Sequence, residues 1–288
     1  MSEIKESYLS NPLIKKDGVT HSWTQEELIE YQKCMTDPVH FVKNYIKIIS
    51  LDEGLVKFDM YEFQEKMINH FDRERFSVVL APRQVGKSIV TLGYILWYAC
   101  FHSEKTCAIL ANKGSTAREM LSRITLMLEN LPFFLQPGCR SLNKGTIQFS
   151  NNSKIFAAAT SPSSIRGHSV NLVMLDEFGF VDNATEFYTS TYPVISSGTS
   201  TKMIVTSTPN GVGNMFHRIW EGATQEVNDF KSFRVHWWDV PGRDEEWKRQ
   251  TVANTSELQF SQEHECNFLG TGNTLIDPET LIDLRAKN

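Results

Sequence analysis

Apolar residues follow two different rhythms along this chain. Between residues 21 and 71 they recur at helical spacing. A capping box, Thr24-x-x-Glu27, opens a helix that continues through Leu28, Tyr31 and Cys34. After Asp37-Pro38, the spacing of Phe41, Tyr45 and Ile48 predicts a second helix over 40–49, and a third is predicted over 62–71. From residue 76 the rhythm changes to short runs that are apolar on both sides: 76–80, 106–110, 172–175, 202–206 and 232–237. Such runs suit strands buried in a parallel sheet with helices on both faces. Helical stretches over 88–100, 115–131, 184–194 and 213–221 separate them, and a hairpin with strands 146–150 and 154–159 flanks Asn151-Asn152.

The pattern predicts an α/β fold with a mainly parallel, helix-flanked sheet. Four sections are expected: a flexible N-terminal arm over 1–20, a helical part of a smaller lid subdomain over 21–60, the α/β core over 61–240, and an acidic helical segment over 241–288 that completes the lid. The arm is read as loose because Pro12 and Gly18 interrupt a polar stretch without periodicity. Internal repeats and low-complexity tracts are lacking.

Composition narrows the function classes. With 41% hydrophobic and 22% charged residues, the chain can build a packed core, which excludes wholesale disorder. A net charge of -5 excludes a polycation that coats nucleic acid and leaves room for a local basic patch. The cysteines at 34, 100, 107, 139 and 266 form no C-x-x-C pair and are odd in number, so a reducing compartment is expected in place of a disulfide framework. The run Met1-Ser2-Glu3-Ile4-Lys5 has no apolar signal-peptide core, and the longest apolar run, 89–101, is too short to span a bilayer.

The chemistry begins at Ala81-Pro82-Arg83-Gln84-Val85-Gly86-Lys87-Ser88, between the first predicted sheet strand and the long apolar helix. Strand, loop and helix in that order are the setting a P-loop needs: backbone N–H groups and the helix N-terminus cradle phosphate. Lys87 would reach the β- and γ-phosphates, Ser88 would ligate Mg²⁺, and Pro82 through Ile89 would line the nucleotide. The first position departs from the usual pattern, since Ala81 stands where glycine is customary. Arg83, inside the loop, is placed to touch the γ-phosphate in cis. A second motif follows at the end of an apolar strand, where Asp176 would hold Mg²⁺ with Ser88 and Glu177 would act as general base on the attacking water. Neighbours on a strand point opposite ways, so this pair works only if the chain leaves the sheet at Glu177, before Phe178-Gly179.

Three further positions join these motifs. Gln64, ahead of the first sheet strand, has an amide able to pair with both a donor and an acceptor on adenine. Arg166, in the polar loop before the acidic strand, is a candidate arginine finger for its own or a neighbouring subunit. Thr206-Ser207-Thr208 ends another strand beside the phosphate site and would sense the γ-phosphate. Trp237, Trp238 and Trp247 read as packing rather than base stacking, and the histidines show no metal-ligand spacing.

With these residues assembled, the chain from about Trp23 to Gly272 resembles the large terminase subunit of T4-like tailed bacteriophages. The resemblance extends through Asp37-Pro38, Phe41, Asn44-Tyr45-Ile46 and Gln64, the arginine-before-glutamine loop, Arg166-Gly167, Asp176-Glu177 and Ser207-Thr208-Pro209-Asn210-Gly211. It implies an ASCE-type ATPase, with ATP and Mg²⁺ as cofactors, that threads double-stranded DNA through the portal into an empty prohead. By the family pattern Lys87 and Ser88 bind phosphate and metal, Asp176 is the Walker B acid, Glu177 the catalytic carboxylate, Gln64 the adenine contact and 206–208 the coupling motif. Arg83 in cis and Arg166 in trans compete as the catalytic arginine. The implied partners are DNA, the portal protein, the small terminase subunit and further copies in a ring; the implied place is the host cytoplasm and, transiently, the portal vertex. Family members also carry a C-terminal nuclease domain with a carboxylate cluster. This chain stops at Asn288, shortly after Asp277 and Glu279, so DNA cleavage is not expected of it. The alternatives are a helicase-like translocase, which needs a second RecA-like domain, and a nucleotide-binding assembly module without turnover, which needs no base at Glu177.

Overall fold

The computed structural model describes residues 6–9, 11–161, 163–165 and 167–269. Strand β1 (Ser7–Tyr8) pairs antiparallel with β2 (Asn11–Lys15). Helices α1 (Gln25–Thr36) and α2 (Pro38–Tyr45) follow, then an antiparallel hairpin of β3 (Lys47–Ser50) and β4 (Gly54–Lys57), then α3 (Glu62–Arg73). The main sheet is built from β5 (Phe76–Leu80), β6 (Thr106–Ala111), β7 (Cys139–Asn143), β8 (Thr146–Phe149), β9 (Lys154–Ala159), β10 (Leu172–Asp176), β11 (Lys202–Ser207) and β12 (Lys231–Arg234). Its helices are α4 (Lys87–Phe101), α5 (Gly114–Glu129), α6 (Ala184–Ser196) and α7 (Met215–Thr224), and the described chain ends beyond α8 (Glu245–Asn254) and α9 (Glu257–Glu263).

The strand order is β12-β5-β11-β10-β6-β9-β8-β7. The first six are parallel, and β8 pairs antiparallel with both β9 and β7, so the α/β expectation of a mainly parallel sheet holds. Every residue of β5 and β10 is buried, which explains their unbroken apolar runs. Alternation along these strands feeds two apolar layers. Val79, Leu172 and Met174 face the layer containing α4 and α5, while Val78, Leu80, Val173 and Leu175 face the one containing α6 and α7. Phe41 and Val42 of α2, together with Met67 and Ile68 of α3, join the first layer. Among the described residues, no helix is long and apolar enough to cross a membrane.

Three expectations need correction, and one strand was not expected. The helix expected over 40–49 is α2: Asp37 caps it by accepting from the His40 N–H at 2.9 Å with Pro38 in the first turn, and it ends before the buried, extended Ile46. The β-branched pair Ile48-Ile49 then enters β3. Within the arm expected to be loose, strand β2 is docked, because Ile14 is buried and the Gln136 side-chain oxygen accepts from the Lys15 N–H at 2.9 Å. The edge strand β7 was not foreseen, since Cys139-Arg140-Ser141-Leu142-Asn143 is mostly polar. Within the acidic helical segment expected over 241–288, the described residues form two helices, each capped by its own residue, Asp244 and Ser256.

Candidate active site

Strand order brings the motifs together. β11 lies between β5, which leads into the phosphate loop, and β10, which ends in the acid pair. Thr206 is level with Asp176 on one side and Val79 on the other, and Ser207 is level with Leu80. Loop, hydroxyls and acids therefore emerge at one carboxyl edge, where α/β sheets bind ligands.

The phosphate loop is shaped from behind. Pro82 and Val85 are buried, and Gln84 and Gly86 take left-handed backbone angles, φ 57° and 77°. A Cβ at Gly86 would stand 2.7 Å from the Gln64 amide nitrogen, so glycine is required on two counts. That amide is buried: Nε2 donates to the Val85 carbonyl at 3.0 Å, and Oε1 accepts from the Tyr61 N–H at 2.9 Å. In this structure Gln64 braces the loop.

Lys87 and Ser88 begin α4. The buried Lys87 Nζ lies 2.7 Å from Glu177 Oε1. Ser88 Oγ donates to Asp176 Oδ1 at 3.1 Å, and Thr206 Oγ1 donates to the same oxygen at 2.8 Å. Burial, and then the charge of Glu177, push the Asp176 carboxyl above the usual range, with Lys87 and the two hydroxyls opposing. Ser88 Oγ and Asp176 Oδ1 fit a shared Mg²⁺, since adjacent ligands of an octahedral Mg²⁺ at about 2.1 Å lie about 3 Å apart.

The expected turn out of the sheet occurs at Glu177, which is left-handed at φ 49° and enters a 3₁₀ turn over Phe178–Phe180. Its Oε2 accepts from the Thr208 N–H at 3.2 Å and from Ser207 Oγ at 3.4 Å. Gly179 donates its N–H to Ser207 Oγ at 3.0 Å, and a Cβ there would stand 2.9 Å from that oxygen. The acid pair and the hydroxyl segment are thus one hydrogen-bonded unit.

A cavity of about 560 Å³ opens beside this unit, lined by Arg83, Asn112, Lys113, Thr116, Asp176 and Glu177 among others. Asn112, Lys113 and Thr116 were not singled out from sequence; they follow β6, and only the strand order reveals β6 as the neighbour of β10. Ile89 lines a separate groove between the β3–β4 hairpin and α5. Arg166 lies outside the described residues. Away from this edge, Glu30, Cys34 and His40 come within 4.8 Å of one another, which the histidine spacing had not indicated. There the Glu30 carboxylate already accepts from Tyr45 and pairs with His40, and burial pushes the Cys34 thiol up to about 12, so the cluster is a hydrogen-bonded corner.

Residues 78–281 match the family described as terminase large subunit, T4likevirus-type, N-terminal. Among solved structures, the ATPase domain of the large terminase of Thermus phage P74-26 superimposes with a TM-score of 0.61 at 20% identity, covering 74% of this chain and 95% of that one. The large terminase of bacteriophage HK97 gives 0.62 at 14% identity, covering 88% and 52%. The large terminase of the thermophilic bacteriophage D6E, in complex with ADP, gives 0.59 at 13% identity, covering 72% and 53%. At these identities the likeness is one of fold, and the matched region of this chain spans about half the length of the HK97 and D6E proteins.

Proposed function

We propose that this chain, which belongs to the T4-like large terminase subunit family by the match of its residues 78–281, hydrolyses ATP as the motor that drives double-stranded DNA into a viral prohead. The observation that carries the reading is the meeting of Lys87, Ser88, Asp176 and Glu177 at one sheet edge beside a cavity of about 560 Å³. Lys87 and the loop N–H groups would bind the triphosphate, and Ser88 and Asp176 would hold Mg²⁺, which neutralises phosphate charge when bound. Phosphate competes with Glu177 for the Lys87 ammonium. Once displaced, Glu177 keeps its Oε2 bonds to Thr208 and Ser207 and presents Oε1 to accept a proton from water. Through those same bonds, a change at the γ-phosphate reaches 206–208 and the segment beyond.

In this reading Arg83 serves in cis, Arg166 contacts a neighbouring subunit of a ring on the portal, and Gln64 sits at the base-binding end of the loop. The helical segments flanking the core form a lid over the nucleotide cleft. The small terminase subunit delivers DNA, and the work takes place in the host cytoplasm and at the portal vertex. With a net charge of -5, DNA contact is local and sequence-independent, and it weakens as salt rises.

The test is Glu177→Gln. The amide oxygen can still accept from Thr208 and Ser207, while the amide gives up the contact with Lys87 and cannot take the proton. ATP turnover should fall about 10²- to 10⁴-fold, the usual contribution of a general base, while nucleotide still binds. Unchanged turnover rejects the assignment of Glu177, and binding without turnover in the wild type would favour the assembly module.

A further inference from the structure

The β3–β4 hairpin keeps an apolar face in solvent. Ile49 and Leu55 stand opposite each other in its register, and Leu51, two residues beyond Ile49, begins the turn. Ile49 is 61% and Leu55 46% exposed, while Leu51 is fully exposed. Alternation sends Ile48 to the other face, where it packs on the core. The hairpin thus docks by one face and leaves three aliphatic side chains without a part in its folding. Asp52 and Glu53 follow Leu51, both exposed, and neither carboxylate pairs with a cation among the described residues.

Across α5 lies a cavity of about 540 Å³, between that helix and the β7–β8 turn. Buried Leu121 and half-buried Leu142 form part of its wall, with Arg118 and Lys144 at exposed positions beside them. Neither cation has an ion-pair partner among the described residues. The turn carrying Lys144 is fixed, because Asn143 Oδ1 accepts from the N–H groups of Gly145 and Thr146 at 2.9 and 3.0 Å. Glu119, the acid of this wall, already faces Arg123 at 3.6 Å.

The hairpin tip is an aliphatic knob followed by two unpaired acids, and the cavity is an aliphatic hole beside two unpaired cations. We propose that the two engage across a two-fold axis, so that the free chain forms a reciprocal dimer. Each tip seats Leu51 in the α5/β7–β8 cavity of a second copy and sets Asp52 and Glu53 against that copy's Arg118 and Lys144. Glu119 and Ser122 line both this cavity and the groove beside the hairpin, so knob and hole flank one helix. Complementary patches that lie side by side suit a closed two-fold pair, which engages both at once and leaves neither to recruit a third copy. The inference concerns the free chain and does not depend on the ATP-hydrolysis reading.

It is tested by sedimentation velocity of the nucleotide-free chain from about 1 to about 100 μM, a span that reports micromolar dissociation constants. Wild type should pass from monomer to dimer and stop there. Leu51→Asp should weaken dimerisation about 100-fold, because a two-fold interface buries the leucine twice. Raising NaCl from about 0.05 to about 0.5 M should weaken it about tenfold, since the paired charges lie at the surface. Asp52→Lys/Glu53→Lys and Arg118→Glu/Lys144→Glu should each be monomeric alone, and their equimolar mixture should dimerise, because both contacts are then complementary again. All the altered side chains are exposed, so each variant should keep the wild-type melting temperature. A wild type still monomeric at about 100 μM overturns the inference and leaves the hairpin tip to a different protein. A mixture that stays monomeric overturns it as well, and so does growth past the dimer, which would mark an open head-to-tail chain.

Discussion

The parallel strands β5, β10 and β11 and the antiparallel pair β7–β8 belong to one sheet, but their buried polar groups do different things. At the parallel carboxyl edge, Lys87, Asp176 and Thr206–Thr208 are all buried, and they bond chiefly to one another's side chains. At the antiparallel edge, buried Gln136 bonds to backbone: it accepts from the Lys15 N–H and donates to the carbonyls of Leu13 and Leu131. Topology explains the contrast. Parallel strands all end on the same side, so a helix N-terminus, two acids and three hydroxyls accumulate there. An antiparallel pair splits its strand ends between the two sides. Buried side chains that face each other across strand ends are available to exchange partners with a ligand, whereas those facing backbone complete hydrogen bonds the fold already needs.

The largest effect that would sharpen the contrast is expected from Asp176→Asn. Turnover should fall on the order of 10³-fold, comparable to the loss of other groups that stabilise phosphate charge. Thermal stability, measured without nucleotide or Mg²⁺, should rise by a few degrees, because the neutral amide avoids burying a charge next to Glu177. A lowered melting temperature would mean that Asp176 serves the fold, and the contrast would break.

At the other edge the signs should reverse. Gln136→Ala leaves the Lys15 N–H and two carbonyls without partners, two of those bonds fixing the N-terminal strand. A loss of about 2–3 kcal/mol in urea denaturation is expected, with kcat unchanged. A fall in kcat at full stability would show that the N-terminal hairpin takes part in the chemistry.

The same contrast accounts for what could be read in the sequence. β5, β10 and β11 are apolar runs because both faces are covered, and the residues after them carry motifs whose local geometry follows from strand, loop and helix. The partnership of Thr208 with Glu177 is different: β11 must lie beside β10, and sequence neighbours do not encode that order. Gln64 shows the same limit from another direction. Its amide chemistry was legible, but not that Val85 and Tyr61 occupy it. The polar edge strand β7 and the docked hairpin β1–β2 left little trace, since edge strands need no alternating apolar face and their stability comes from partners far along the chain, Gln136 and Cys139. The hydrogen bond from Arg83 to the Glu263 carboxylate was illegible for that reason as well: the two residues are 180 apart.

The smallest expected effect lies at the opposite edge, where β12 joins β5. His70, buried on α3, hydrogen-bonds the Lys231 carbonyl through Nε2 at 3.2 Å and thereby ties the helix to the edge strand. Burial lowers its pKa below the ordinary 6.5 despite that bond, so the folded chain binds the proton less readily than the unfolded chain. The sign follows from linkage. The contribution is fully present above pH 6.5 and is lost as pH falls through the lowered folded value, because the unfolded state then takes up more protons. Stability should therefore decline on acidification from pH 7 to 5, and His70→Gln should flatten that decline by a few tenths to about 1 kcal/mol while leaving kcat at neutral pH intact. Denaturation midpoints of the two proteins compared at both pH values give the answer, and parallel pH profiles would remove His70 from the account. A kcat change at neutral pH would instead couple the β12 edge to the phosphate site through β5, the strand that leads into the loop.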